Sequence, residues 1–171
     1  MPISRQHDDR LTAASPQPAE VSLVSGLGVA AMLQHAYEAN TRAPRPGTVF
    51  HQTGLLLAAL AALPPEQALV AIVKRAGAVQ TLWPLRIDRR VYGVRLATEL
   101  ASPLTQYSEV IGEPLDDDTF HALRELLRGQ HRVDAILCRN VRADSGLAAA
   151  LAGTPEASID QDAAPYVDLQ A

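Results

Sequence analysis

The stretch TLWPLRIDRRVYGVRL (Thr81–Leu96) reads as two strands joined by a charged turn, yet Pro84 stands inside the first of them. Proline has no amide to give to a ladder, so this residue limits which sheet can hold the strand. Otherwise the pattern is regular. Val79, Thr81, Trp83, Leu85 and Ile87 fall on one face and Gln80, Arg86 and Asp88 on the other, a period-two alternation.

Upstream, ALVAIVKR from Ala68 is an apolar strand ending in charge, and Ala76-Gly77 gives the tight turn that leads into the quoted stretch. Downstream, VYGVRLATEL is a third antiparallel strand, with QYSEVIG as its expected continuation beyond Pro103. Further out the period becomes helical. Val29–Asn40 carries Met32, Leu33, Ala36 and Tyr37 at helical spacing, TRAPRPG breaks the chain into a loop, and a second helix runs from about Gln52 to Leu63. VSLVSGL from Val21 precedes them as a short strand.

On the far side, LDDDTFHALRELLRGQ predicts a helix with Asp117 or Asp118 as its cap. Its buried stripe is Phe120, Leu123, Leu126 and Leu127, and Gly129 is its stop. VDAILCRNV is apolar through its centre, as for a strand covered on both faces. SGLAAALAG predicts a short helix starting at Ser145, and ASIDQDAAPYVDLQA holds one or two more strands. Residues 1–20, with three prolines and few large apolar groups, read as a disordered lead-in to a domain spanning 21–171.

Composition narrows the classes. At 171 residues and 47% apolar content the chain suits one domain with a real core. No apolar run reaches the roughly 18 residues of a membrane span, and the start MPISRQHDDR lacks a signal pattern, so a cytoplasmic protein is expected. Cys138 is the only cysteine, which excludes an internal disulfide and a Cys-rich zinc site. The net charge of −4 argues against nucleic-acid binding.

The order strand, helix, helix, three-strand meander, helix, strand, helix, strand resembles the GNAT acetyltransferase fold, an α/β class with a mixed, mostly antiparallel sheet flanked by helices. Local segments narrow the likeness. VFHQTGLLLAAL is similar to a Phe-Gln-Ser-type start of the second helix, and LVAIVKRAGAVQTLWPLRIDRRVYGVRLA to a strand pair closed by a Pro-Leu dipeptide before a basic turn. SPLTQYSEVIG is similar to a Ser-Asp-Tyr-type loop, and APYVDL to the strand ending this half. Together they resemble the CelD/BcsL-like acetyltransferases of cellulose and other envelope polysaccharides, related in architecture to Fem-type tandem proteins. Within such a sheet Pro84 sits at a bulge or splay; an edge strand with its missing amide facing solvent accounts for it equally.

The resemblance implies acyl transfer from acetyl-CoA or another acyl-CoA to a hydroxyl or amine, with a groove between two GNAT halves. This chain departs from it in two places. Where the superfamily has a Gln/Arg-x-x-Gly-x-Gly/Ala turn for the coenzyme diphosphate, YSEVIGEPLDDDTF has one glycine and three consecutive aspartates. The chain also stops after the PYVDL strand, where a second domain follows in the family. The expectation is therefore an acceptor-side half that holds no cofactor itself. It would need a second GNAT domain in cis or in trans, and its acceptor would be a small molecule or saccharide. A free-standing binding or dimerisation module and a minimal transferase with an atypical coenzyme grip are the alternatives.

Five histidines (His7, His35, His51, His121, His131) lack ligand spacing, so no metal site is expected. Cys138 within AILC reads as a small buried group and Ser145 as a helix cap. Arg86, Arg89, Arg90 and Arg95 form a basic hairpin, read as solvated turn residues or as a contact for a polyanion. By resemblance the groove is faced by Gln52 and the neighbouring His51, and by Gln106, Tyr107 and Glu109. Trp83 joins them as a candidate although its alternation places it in the core.

Overall fold

A computed structural model of the chain describes residues 18–40, 53–91, 93–104 and 107–154. Among the described residues, six strands and four α-helices follow in the order β1 (Glu20–Ser25), α1 (Gly28–Asn40), α2 (Thr53–Ala61), β2 (Ala68–Arg75), β3 (Ala78–Val91), β4 (Val94–Glu99), β5 (Ile111–Gly112), α3 (Asp117–His131), β6 (Ala135–Leu137) and α4 (Ala148–Ala152). The sheet order is β1-β2-β3-β4-β6, with β5 paired to β3. Every pairing is antiparallel except β4 with β6. The fold class is the expected one, a mixed and mostly antiparallel sheet flanked by helices.

Both faces of the sheet are covered, which explains why β2 is apolar without alternation. Leu69, Ala71, Val73, Trp83, Leu85, Ile87 and Ala97 pack with Phe120, Leu123 and Leu127 of α3 and with Leu147 and Ala150 at α4. On the opposite face Val70, Ile72 and Leu82 meet Val29 and Leu33 of α1 and Leu56 and Ala59 of α2. Each fully buried leucine contributes about 1.5–3 kcal/mol by its removal from water. The turn at Ala76-Gly77 has positive φ at both residues (51° and 76°), the hairpin geometry that glycine accepts without strain.

Pro84 lies at a splay. On one side it faces Val70 of β2; on the other, β3 is paired with β5 at Thr81 and Leu82 and with β4 from Leu85 onward. The Pro84 carbonyl accepts from Leu100 N at 3.2 Å, so the proline nitrogen is turned to that same side, between the two partners. Its missing amide falls where β4 and β5 part, so the ladder to β2 loses nothing. The edge-strand alternative is excluded, since β3 is central and Pro84 is buried.

Several expectations need correction. The alternation in β3 breaks at Gln80: Val73 pairs with Thr81 but Lys74 with Val79, leaving Gln80 as an inserted residue. Val79 thereby joins the α1/α2 face, away from Trp83. The segment containing Ile111 does not prolong β4 but turns back to pair with β3. Helix α3 passes Gly129 and ends at Arg132, which takes the left-handed conformation (φ 53°), with its N–H donating to Arg128 O and Leu127 O. The strand read from Val133 shrinks to Ala135–Leu137, with two of its three residues exposed rather than covered on both faces. The helix expected from Ser145 begins at Ala148; Ser145 Oγ still accepts from Ala148 N at 3.1 Å. Finally, Arg86 is no solvated turn residue, because it donates to Ser102 O at 2.7 Å and pairs with Asp88.

Candidate functional site

The chain between β4 and α3 crosses the splay and brings two polar clusters to the same end of the sheet. The first is the start of α3. Asp116, in extended conformation, accepts Thr119 N on its Oδ1 at 2.8 Å, while its Oδ2 pairs with Arg75 at the end of β2. The cap is therefore Asp116, one or two residues before the expected Asp117 or Asp118. Hydrogen bonding from Thr119, aided by the Arg75 guanidinium, holds its carboxyl below the usual carboxylate range. Asp117 and Asp118 fill the first turn, favourable at the positive end of the helix dipole. A cavity of about 340 Å³ lies beside this turn, lined by Arg75, Gln80, Thr81, Glu113, Pro114 and Thr119. The Gln80 bulge helps shape its wall.

The second cluster is buried. Glu99, the last residue of β4, is 7% exposed, and its Oε1 accepts Trp83 Nε1 at 3.2 Å. The Ser108 side chain also hydrogen-bonds to it. Burial pushes the Glu99 carboxyl up to about 8; the bonds from Trp83 and Ser108 offset part of that rise, and the Glu109 charge adds to it. Ser108 in turn joins the segment leaving β6, for its N–H donates to Arg139 O at 2.9 Å and its Oγ accepts Arg139 N at 2.8 Å. Glu109 Oε1 accepts both Val110 N (2.9 Å) and Gly146 N (2.8 Å). Its carboxyl is likewise raised by burial, against those two bonds. A side chain at Gly146 would crowd its neighbours, as a Cβ would lie 2.8 Å from Val110 Cγ2 and 3.2 Å from Pro114 Cα.

Of the residues expected at a groove, the structure brings Trp83 and Glu109 to one cluster, bridged by Glu99 and Ser108. Trp83 is 1% exposed and stacks at a tilt on Phe120, with ring centroids 5.9 Å apart, so it belongs to the core with only its indole N–H in polar use. Tyr107 is half-buried beside Ser108. Gln52, Gln106 and His51 lie outside the described residues. Glu99 and Ser108 were not singled out in the sequence. The available signal was that Glu99 follows Ala97 on the core-facing alternation of β4, an acid where an apolar residue belongs.

Cys138 is half-buried, and burial together with the neighbouring Glu99 charge pushes its thiol up to about 12, far from a reactive thiolate. Among the described residues no group of three His, Cys, Asp or Glu could hold a metal ion, and no helix is long and apolar enough to cross a membrane. Chemically, the first cluster presents negative charge to solvent, and the second holds a buried carboxyl whose neutral form is favoured by its burial.

No protein-family model matches the chain, and no curated protein matches it in sequence. In structure it is similar to an aminoglycoside acetyltransferase from an uncultured soil metagenomic sample, solved with sisomicin. The identity is 13%, covering 88% of this chain and 96% of that one, with a TM-score of 0.46. It is also similar to the ribosomal-protein-alanine N-acetyltransferase of Brucella melitensis biovar Abortus 2308, at 12% identity over 88% of this chain and 98% of that one, with a TM-score of 0.43.

Proposed function

We propose that this chain is an acyltransferase-related domain that works on the acceptor side of the reaction and does not itself grip acyl-CoA. One observation carries the reading. At the start of α3, where a GNAT-like domain would offer free amides to a diphosphate, Asp116 takes Thr119 N for itself, and Asp117 and Asp118 stand beside it. Like charges at about 4 Å repel by roughly 1–4 kcal/mol per pair near a surface, and a coenzyme diphosphate would meet several. On this reading acyl-CoA is held by a second GNAT domain, in cis or in trans. The acceptor is a hydroxyl or amine on a saccharide or a similar small molecule, and an envelope polysaccharide is the finer form of the proposal. Tyr107, with its aromatic face and hydroxyl, is the residue assigned to acceptor contact.

Calorimetry with acetyl-CoA is the direct test. The chain alone is expected to give no saturable heat at micromolar to millimolar coenzyme. Micromolar binding would sink the reading, and loss of that binding in Asp116→Ala would then place the coenzyme at this turn.

A second reading, a homodimer or binding module, is favoured by one feature. Among the described residues the outer edge of β6 has no strand partner, and Leu137 on it is 38% exposed. Sedimentation at high protein concentration separates the two: a monomer removes the homodimer.

A further inference from the structure

Glu99 is used by neither reading above, yet it is the most unusual group in the molecule. It is an acid at the end of a central strand, enclosed by Trp83 from β3, by Ser108 and Glu109 from the segment after β4, and by Cys138 beyond β6. No cation is among these neighbours. The positive charge that acts on Glu109 is Arg142, itself tied to Asp144 at 2.7 Å. The buried Glu99 and the half-buried Glu109 therefore stand near enough to repel, and Glu109 is the peg joining Val110 N to Gly146 N.

We propose that the proton on Glu99 acts as a latch, closing the seam between the 107–110 segment and the 139–146 segment when present and loosening it when lost. The geometry gives the route. Ser108 touches Glu99 on one side and exchanges two hydrogen bonds with Arg139 on the other, so any movement that rehydrates Glu99 pulls on that pair. Ionised Glu99 would also stand against Glu109, whose easiest relief is to leave Gly146 N for water. The seam borders the groove between α3, β6 and α4, lined by Arg139, Arg142 and Ser145 among others, so the latch governs access to that face. This inference does not depend on acyl chemistry.

The chain contains a single tryptophan, and its indole N–H is the one bonded to Glu99, so emission reads the latch directly. The full chain is titrated from about pH 6 to about pH 9, below the tyrosine range, following Trp83 emission and the amide resonances of Arg139 and Gly146. Burial places the expected midpoint near 8, shared by all three signals. Glu99→Gln, which keeps the shape, is expected to abolish the transition in all of them. Ser108→Ala is expected to leave the tryptophan transition in place while the Arg139 response disappears. A flat titration of the unaltered chain, or a transition that survives Glu99→Gln, would overturn the proposal. So would an indole that titrates while Arg139 and Gly146 stay still, because Glu99 would then ionise without moving the seam.

Discussion

Glu99 shows how one side chain can give a protein its pH dependence. Its carboxyl is held near 8 when folded, against an ordinary 4.5, so the folded chain binds a proton that the unfolded chain releases between those values. Stability should be fully expressed below the ordinary carboxylate range and fall as pH rises through the window, by up to about 1.4 kcal/mol per pH unit from this group. Asp116 acts in the opposite sense at acid pH, since its carboxyl is depressed and its contribution is lost as pH falls. Urea unfolding at pH 5, 7 and 9 checks this: the unaltered chain should weaken steadily, whereas Glu99→Gln should weaken much less and overtake it at the alkaline end. Equal slopes in both would exonerate Glu99. Gly146 carries a second residue-scale prediction. Its missing Cβ makes room for Val110 and for the Pro114 backbone, so Gly146→Ala should cost about 1–3 kcal/mol by overpacking. Neither residue stood out in the sequence, because an acid next to a threonine in ATEL and a glycine after a serine have common surface readings. The bond from Trp83 shows that Glu99 is enclosed, and the approach of Val110 and Pro114 shows why position 146 is glycine.

At the scale of elements, sequence patterns foretold existence better than ends. Helix α3 was legible from Phe120, Leu123 and Leu127, three of the residues it buries, since an apolar stripe over about two turns outweighs any single breaker. Its ends were not. Three adjacent aspartates offer equivalent caps, and the one used, Asp116, also pairs with Arg75, forty-one positions away in sequence. At the other end Arg132 adopts the left-handed conformation, so Gly129 was not needed as a stop. The same reasoning accounts for the strands: β5 pairs with β3 at Thr81 and Leu82, beyond the point where β4 leaves it, a long-range fact that local alternation cannot carry. A prediction follows for the cap. Asp116→Ala should destabilise the chain by about 1 kcal/mol, the usual cost of a lost N-cap. Asp116→Asn should recover most of it, because the amide oxygen can still accept Thr119 N. Arg75→Ala should cost less than about 1 kcal/mol, since that pair is exposed on both sides. Denaturant midpoints for the three variants decide whether the hydrogen bond or the ion pair fixes the helix start.

The described residues form a sheet with two cores, and its central strands serve both. Leu69, Ala71 and Val73 of β2 face α3, while Val70 and Ile72 of the same strand face α1 and α2. That arrangement was legible in outline, because strands flanked by helices before and after the meander leave both faces to be covered. Of the residues expected at a groove between two halves, Gln52 and Gln106 lie outside the described residues and Trp83 is core. Sharing of strands has a thermodynamic consequence. Neither core can dissolve without exposing the backs of β2 and β3, so the two should unfold together. Leu33→Ala empties a site on the α1 face and Leu123→Ala one on the α3 face, each residue being almost wholly buried. Each should cost about 2–5 kcal/mol. Trp83 reports only the α3 face, whereas far-ultraviolet circular dichroism reports all helices, so the two probes can tell joint from separate unfolding. In Leu33→Ala both should shift to the same lower midpoint. An early loss of helix signal with Trp83 emission unchanged would show that the faces melt independently, and the sheet would then be a partition between two cores instead of their common element.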